Sequence, residues 1–341
     1  MTRRLIAIDL FSGCGGLSLG LKKAGFRVLA AIDNDALATE TYRKNHPSTL
    51  LFEQDITDVS AAGLMRRLGL KRGQLDLLAG CPPCQGFSRL RTLNGQRRPR
   101  EPMNDLVFEF LRFVRVLRPK TIMMENVPGL TRNSRLKKFC KVLSKLGYDW
   151  EYDVLDAADY GVPQRRRRMI LLASQYGPTS FARKSRSLRT VHATIAKLDR
   201  PGGSGDPLHD HPARRSADVQ MLIKRIPRNG GGRSAIPQHE QLPCHRRIDG
   251  FRDIYGRMAW HEPAPTITGG CINPSKGRFL HPRQDRAITL REAALLQGFP
   301  RRYFFSLKKG TYPAAQMIGN AFPPMFATRH ARQLAAQLGG R

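Results

Sequence analysis

The stretch LIAIDLFSGCGGLSLGLKKAGFRVLAAID, residues 5–33, decides the fold. It opens on a short apolar run at 5–10, the length of a buried strand. Gly13, Gly15 and Gly16 follow at once, and residues 17–24 then space their apolar side chains as a helix does until Gly25 closes it. Residues 28–32 are a second apolar run, and Asp33 stands at its end, 20 residues past Gly13. A glycine turn alone is common to many α/β proteins. The order strand, glycine turn, helix, strand and terminal acid is more specific: glycines let a ligand approach the backbone, and the acid holds ribose hydroxyls. The spacing differs from the G-x-x-x-x-G-K-[ST] of a P-loop. Periodicity does not tell a nicotinamide dinucleotide from S-adenosylmethionine.

The alternation continues outward. Residues 36–45 read as a helix stopped by Pro47, 75–79 as a strand, 106–117 as a helix ending before Pro119, 121–124 as a strand, 136–146 as a helix closed by Gly147, and 169–173 as a strand. A further strand before Asp55 would bring that carboxylate to an adenine edge. Strands alternating with helices imply an α/β fold with a doubly wound, mostly parallel sheet covered on both faces. The texture changes near residue 175. Residues 175–285 hold 11 of the 23 prolines and 12 of the 31 glycines, and residues 181–285 carry 19 Lys and Arg against 9 acids. This marks a smaller, loop-rich, basic second domain. Helical pattern returns at 289–296, with Thr289 as cap, and at 325–338.

The whole chain has 58 Lys and Arg against 27 Asp and Glu, a net charge of +31 over 341 residues. Such an excess repels itself unless it meets a polyanion, and nucleic acid is the first candidate. No apolar run reaches the roughly 18 residues that span a bilayer. Arg3 and Arg4 before an apolar stretch faintly mimic a signal peptide, but Asp9 and the glycines at 13–16 break the pattern. Six scattered cysteines in a chain of this length point to a reducing, cytoplasmic compartment rather than a disulfide scaffold.

Several constellations carry chemistry. Cys81-Pro-Pro-Cys84 follows the strand 75–79, at a strand end where α/β proteins place ligands. On residues alone it reads as a nucleophile, a redox pair, a partial zinc site or a structural thiol. Residues 88–100 hold Arg89, Arg91, Arg97, Arg98 and Arg100 without an acid, the composition of a loop that closes on phosphates or of a solvated basic loop. Glu125 ends the strand 121–124, as a base-edge contact, a proton carrier or a capping acid. Gln164 and four arginines precede the strand 169–173, as a charge run, a phosphate patch or a grip on a pyrimidine oxygen. His209, Asp210 and His211, and Cys244 with His245, read as polar loop residues rather than metal ligands.

Taken together, these residues resemble the cytosine-5 DNA methyltransferase family, of the bacterial modification-methylase type. The resemblance rests on DLFSGCGGLS at 9–18, PPCQGFS at 82–88, ENV at 125–127, QRRRR at 164–168, LREAALLQGFP at 290–300 and IGNAFPP at 318–324, in that order, with weaker matches AIDND at 31–35 and QDI at 54–56. It implies a methyltransferase sheet that binds S-adenosylmethionine, formed by residues 1–178 and 307–341, with a target-recognition domain and hinge at 179–306. It implies Cys84 as the nucleophile, Glu125 at N3 and the exocyclic amine of cytosine, Arg168 at O2 and Arg166 in support. Phe11, Ser12, Gly13, Cys14, Gly15, Gly16, Asp33, Asn34, Asp55, Ile56, Pro83 and Asn320 match the cofactor pocket. Asp33 departs mildly from a family that often has Glu there; either carboxylate binds ribose.

The segment from Arg257 to Trp260 through Pro265 to Thr268 resembles the target-recognition segment. The implied partner is double-stranded DNA, and the implied role is modification, either alone or beside a cognate restriction endonuclease acting on the same site. The implied enzyme is a monomer that uses no metal and no membrane. The competing readings are a tRNA cytosine-5 methyltransferase of the same fold, whose usual Cys-Phe-Thr tripeptide is absent, and a DNA-binding regulator with a dead site, against which the intact Cys84, Glu125 and Arg168 argue.

Overall fold

The computed structural model describes residues 4–83, 106–211, 215–242 and 253–339. Seven strands form one sheet: β1 (Ile6–Leu10), β2 (Arg27–Ile32), β3 (Leu50–Phe52), β4 (Leu77–Gly80), β5 (Thr121–Asn126), β6 (Asp149–Asp156) and β7 (Arg167–Ser174). Their order across the sheet is β3-β2-β1-β4-β5-β7-β6. Neighbours from β3 to β5 run parallel, and β7 runs antiparallel to both β5 and β6. The sheet is therefore mostly parallel, as expected, with a reversed strand near one edge. β6, which the sequence reading passed over, is that edge.

Among the described residues the first five helices are α1 (Gly16–Lys23), α2 (Ala36–Asn45), α3 (Ala61–Arg67), α4 (Leu106–Leu117) and α5 (Ser134–Lys145). Central strands are buried throughout and mainly apolar because both faces are covered. α4 presents Val107, Phe110, Phe113 and Val114 to this core, and Phe110 meets Phe139 of α5 with ring centroids 6.0 Å apart.

The chain divides into two compact units. The first holds residues 1–160, 167–184 and 322–341; the second holds 161–166 and 185–321. The sheet belongs to the first, as does the C-terminal helix. The second contains α6 (Val191–Ile195), α7 (Pro207–Asp210), α8 (Ala217–Arg225), α9 (Leu290–Leu296) and α10 (Thr311–Asn320), and α11 (Pro324–Gly339) follows in the first. Among its described residues the second unit is tied by turns and isolated bridges rather than by a sheet. What fixes it is Arg257, a fully buried arginine. Its guanidinium donates to the carbonyls of Ile223, Ile226, His281 and Gln284 and to Asp285 Oδ1, between 2.6 and 3.1 Å. Those partners use all its donors, and Asp285 balances the charge, so burial is tolerated.

Candidate active site

In the order β3-β2-β1-β4, the chain leaves β1 toward β2 and later returns on the other side as β4. The carboxyl ends of β1 and β4 therefore flank a topological switch point, where open α/β sheets bind ligands. Close approach is required there. A Cβ on Gly80, the last residue of β4, would lie 2.5 Å from the Leu10 carbonyl.

After Leu10 the backbone turns through three left-handed residues, Phe11 (φ 59°), Gly13 (φ 51°) and Gly15 (φ 93°). Ser12 N–H donates to the Ile32 carbonyl at 3.0 Å, drawing the turn onto the end of β2. Asp33 completes the link: its Oδ2 accepts from Gly13 N–H at 2.7 Å and its Oδ1 from Asp35 N–H at 3.0 Å. Burial raises the Asp33 carboxyl above the usual range, although these N–H groups oppose the shift. Asn34 Nδ2 donates to Asp55 Oδ2 at 2.9 Å. Hydrogen bonds from the Thr57 N–H and hydroxyl hold Asp55 below the usual carboxylate range. Ile56 is buried in the core beside this loop. Cys14 is buried as well, which pushes its thiol up to about 12. The carbonyl of Gly15 is held by His46, whose Nε2 lies 3.2 Å away while Nδ1 lies 3.0 Å from Lys22 Nζ. A lysine ammonium only donates, so Nδ1 accepts and Nε2 carries the proton. Burial, with Lys22 adding, brings the His46 pKa down to about 3 and keeps the ring neutral.

On the β4 side, Cys81 N–H donates to the Leu10 carbonyl at 3.2 Å, and Asn126 Nδ2 donates to the Pro82 carbonyl at 2.9 Å. Asn126 thus ties the Cys81-Pro82-Pro83 exit of β4 to the end of β5. Cys84 and the arginine-rich stretch 88–100 lie outside the described residues, as do Cys244 and His245. Next to Asn126, Glu125 meets Arg168 of the neighbouring β7, Nε to Oε1 at 2.9 Å. Both side chains are mostly buried, so each charge is satisfied by the other.

Arg166 and Asn320 belong to the second unit. Arg166 is buried and donates from Nη1 to the Ile267 carbonyl at 3.0 Å. Asn320, the last residue of α10, is exposed. His209, read from sequence as a loop residue, is buried: Nδ1 lies 2.8 Å from Thr289 Oγ1 and Nε2 2.9 Å from the Asp199 carbonyl. The Asp210 carboxylate gathers the N–H groups of Gly202, Ser204 and Gly205, which holds its pKa well down. Among the described residues no group of three or more His, Cys, Asp or Glu is placed to hold a metal ion, and no helix is long and apolar enough to cross a membrane.

A glycine turn feeding a helix, a buried acid at the end of the next strand and a Pro-Pro exit from the adjoining strand thus meet at the switch point of a mostly parallel sheet whose β7 is reversed. The family model C-5 cytosine-specific DNA methylase matches residues 5–336. Type II methylase M.HgiDII of Herpetosiphon aurantiacus is 37% identical over 335 residues, covering 93% of this chain and 91% of that one. Type II methyltransferase M1.HphI of Haemophilus parahaemolyticus is 35% identical over 330 residues, covering 95% and 84%. Among solved structures, the Dnmt2 methyltransferase of S. pombe shares the fold, with a TM-score of 0.63 at 20% identity over 98% of this chain and 99% of that one. The chain belongs to the C-5 cytosine-specific DNA methylase family, and it is a methyltransferase enzyme.

Proposed function

We propose that the protein methylates carbon 5 of a cytosine within a specific duplex DNA sequence, through a transient bond between Cys84 and C6. Its role would be modification, alone or beside a restriction endonuclease that cuts the same site. The observation that carries this reading is the Glu125–Arg168 pair, a carboxylate and a guanidinium 2.9 Å apart. The pair sits on β5 and β7, beside the β4 exit that leads into Cys84. A target cytosine needs those two groups: one for its N3 and amine edge, one for O2.

S-adenosylmethionine fits the turn on chemical grounds. Asp33 has spare lone pairs after its two backbone bonds and suits a ribose diol. A Cβ placed on Gly13 would meet nothing within 4 Å, so the turn is open on that side. The N-terminus of α1 has no side-chain cap, and a helix N-terminus favours a carboxylate nearby. Phe11 to Gly16, Asp33, Asn34, Asp55, Ile56, Pro83 and Asn320 are the proposed cofactor residues. When bound, S-adenosylmethionine supplies an electrophilic sulfonium methyl.

The residues of this chain do the rest. Cytosine is stacked in the duplex and must swing out for C5 to be reached. The Cys84 thiolate adds to C6, and the displaced π electrons move onto N3 and O2. Glu125 and Arg168, with Arg166 in support, stabilise that charge. C5 becomes enamine-like and would take the methyl from the sulfonium, whose sulfur keeps the bond pair as the carbon–sulfur bond breaks. Loss of the C5 proton then returns electrons to the ring and expels Cys84. The second unit, rich in arginine, is the proposed target reader, its cations addressing phosphates and guanine edges.

The test uses labelled S-adenosylmethionine with duplex DNA, transfer RNA or neither, and then Cys84→Ser. Label is expected in duplex DNA alone and is lost in the variant. Label in transfer RNA, or undiminished label in Cys84→Ser, defeats the reading. A duplex with 5-fluorocytosine should trap a covalent adduct, because fluorine does not leave as a proton does.

A further inference from the structure

Two of the chain's four passages between the units fall at 166/167 and 321/322. Inside the second unit, two side-chain amides connect the residues beside these crossings. Gln164 and Gln297 are both fully buried. Gln164 Oε1 accepts from Ile267 N–H at 2.8 Å, and its Nε2 donates to Gln297 Oε1. Gln297 Nε2 in turn donates to the Ala321 carbonyl. Each amide has a donor on its oxygen and an acceptor on its nitrogen, so neither can flip without losing two bonds. The relay runs one way, from the Ile267 N–H to the Ala321 carbonyl.

Both ends also rest on one segment, residues 264–269. Ala264 exchanges backbone bonds with the arginine motif, Arg165 N–H to Ala264 O at 2.8 Å and Ala264 N–H to Pro163 O at 2.9 Å. Thr266 Oγ1 donates to the Arg165 carbonyl at 2.7 Å, and Arg166 donates to the Ile267 carbonyl at 3.0 Å. At the other end a Cβ on Gly319 would lie 2.2 Å from the Thr268 carbonyl carbon, so the end of α10 is pressed against Thr268 and Gly269.

We propose that Gln164 and Gln297 are positioning residues that hold Arg166 and Asn320 at a fixed separation. The arginine motif and the proposed cofactor-contacting Asn320 then leave the second unit in register. This rests on the methyltransferase reading above. Neither amide touches the base or the cofactor; they act through their neighbours. A buried pair that only filled space would give a different pattern, and the experiment separates the two.

Gln164→Leu, Gln297→Leu and the double variant are compared with wild type for kcat, for KM toward duplex DNA and for melting temperature. Each single variant should lose about tenfold or more in kcat, because small misplacements of contact groups are costly, with KM for DNA within about threefold. The double variant should melt no lower than the less stable single variant, since two apolar side chains leave no amide unpaired and only Ile267 N–H and the Ala321 carbonyl lose their partners, while kcat stays low. Recovery of kcat along with melting temperature, or an unchanged kcat in Gln297→Leu, overturns the inference. Hydrogen exchange gives a readout free of activity. In Gln297→Leu the N–H groups of Ile267 and Arg165 should exchange faster, and unchanged protection there overturns the relay even if wild type proves inactive on DNA. Inactivity of wild type on duplex DNA would instead defeat the function proposed above.

Discussion

Asp9 shows how much one residue can hide in an apolar strand. It is fully buried in β1. Ser18 Oγ donates to its Oδ2 at 2.6 Å and lies 2.7 Å from the Tyr42 hydroxyl, while Oδ1 has no partner among the described residues. Burial, aided by the charge of Asp33, raises its pKa from 3.8 to about 7 against the opposing Ser18 bond. The folded protein therefore binds this proton more tightly than the unfolded chain. Its stabilising effect is full below pH 4 and is lost as pH rises toward 7. Asp9→Asn keeps an acceptor for Ser18 and carries no charge. It should be more stable than wild type at pH 8, on the order of 4 kcal/mol at most, and should lose that advantage at pH 4. Melting temperatures of both proteins across this range check it; a constant difference would mean that Asp9 does not titrate with folding. In the sequence Asp9 was visible only as a polar break in an apolar run. Nothing local announced Ser18 and Tyr42 as its neighbours.

At the scale of elements, close packing joins α1 to the C-terminal helix. A Cβ on Gly20 of α1 would lie 2.4 Å from the Ala327 Cβ and 2.7 Å from the Pro324 carbonyl, both on α11. Thr328 Oγ1 donates to the Gly20 carbonyl at 3.2 Å, across the same contact. Gly20→Ala should cost about 1–3 kcal/mol by overpacking, and Ala327→Gly should return part of that loss by vacating the nearer clash. Urea midpoints of both singles and the double measure the coupling; strict additivity would show that the helices separate to accept the methyl. The parallel strands were legible because each is built around a mainly apolar run. β6 was not. Trp150, Tyr152 and Val154 do alternate along it, but Asp149, Glu151 and Asp153 stand between them, and an edge strand carries such charge without penalty. The site divides the same way. The glycine turn, the Pro-Pro-Cys exit, Glu125 and Arg168 sit in contiguous motifs. Asn126 with Pro82, His209 with Thr289, and Gln164 with Gln297 are separated by 44, 80 and 133 residues, and only folding brings each pair together.

For the molecule as a whole, the net charge of +31 governs how it meets its substrate. Positive charge on this scale opposes the compact state and is relieved by a polyanion, so affinity for duplex DNA should fall steeply with salt through the return of counterions to the phosphates. The second unit has a hollow of about 540 Å³ lined by Arg200, Arg228, Arg283, Gln284, Asp285 and Arg286. Two of its charges are already committed: Asp285 to Arg257, and Arg286 to Glu292. Arg200, Arg228 and Arg283 are exposed and face the hollow. If they meet phosphates, changing all three to Gln should lower the slope of log affinity against log salt by about 2–3, with the loss nearly independent of DNA sequence. Binding of S-adenosylmethionine, measured by calorimetry, should keep its affinity, because these side chains lie far along the chain from the glycine turn and in the other unit. A triple variant with the wild-type salt slope would place the phosphate contacts elsewhere on the protein. A variant that lost affinity for one sequence but not another would turn the three arginines from phosphate contacts into base readers.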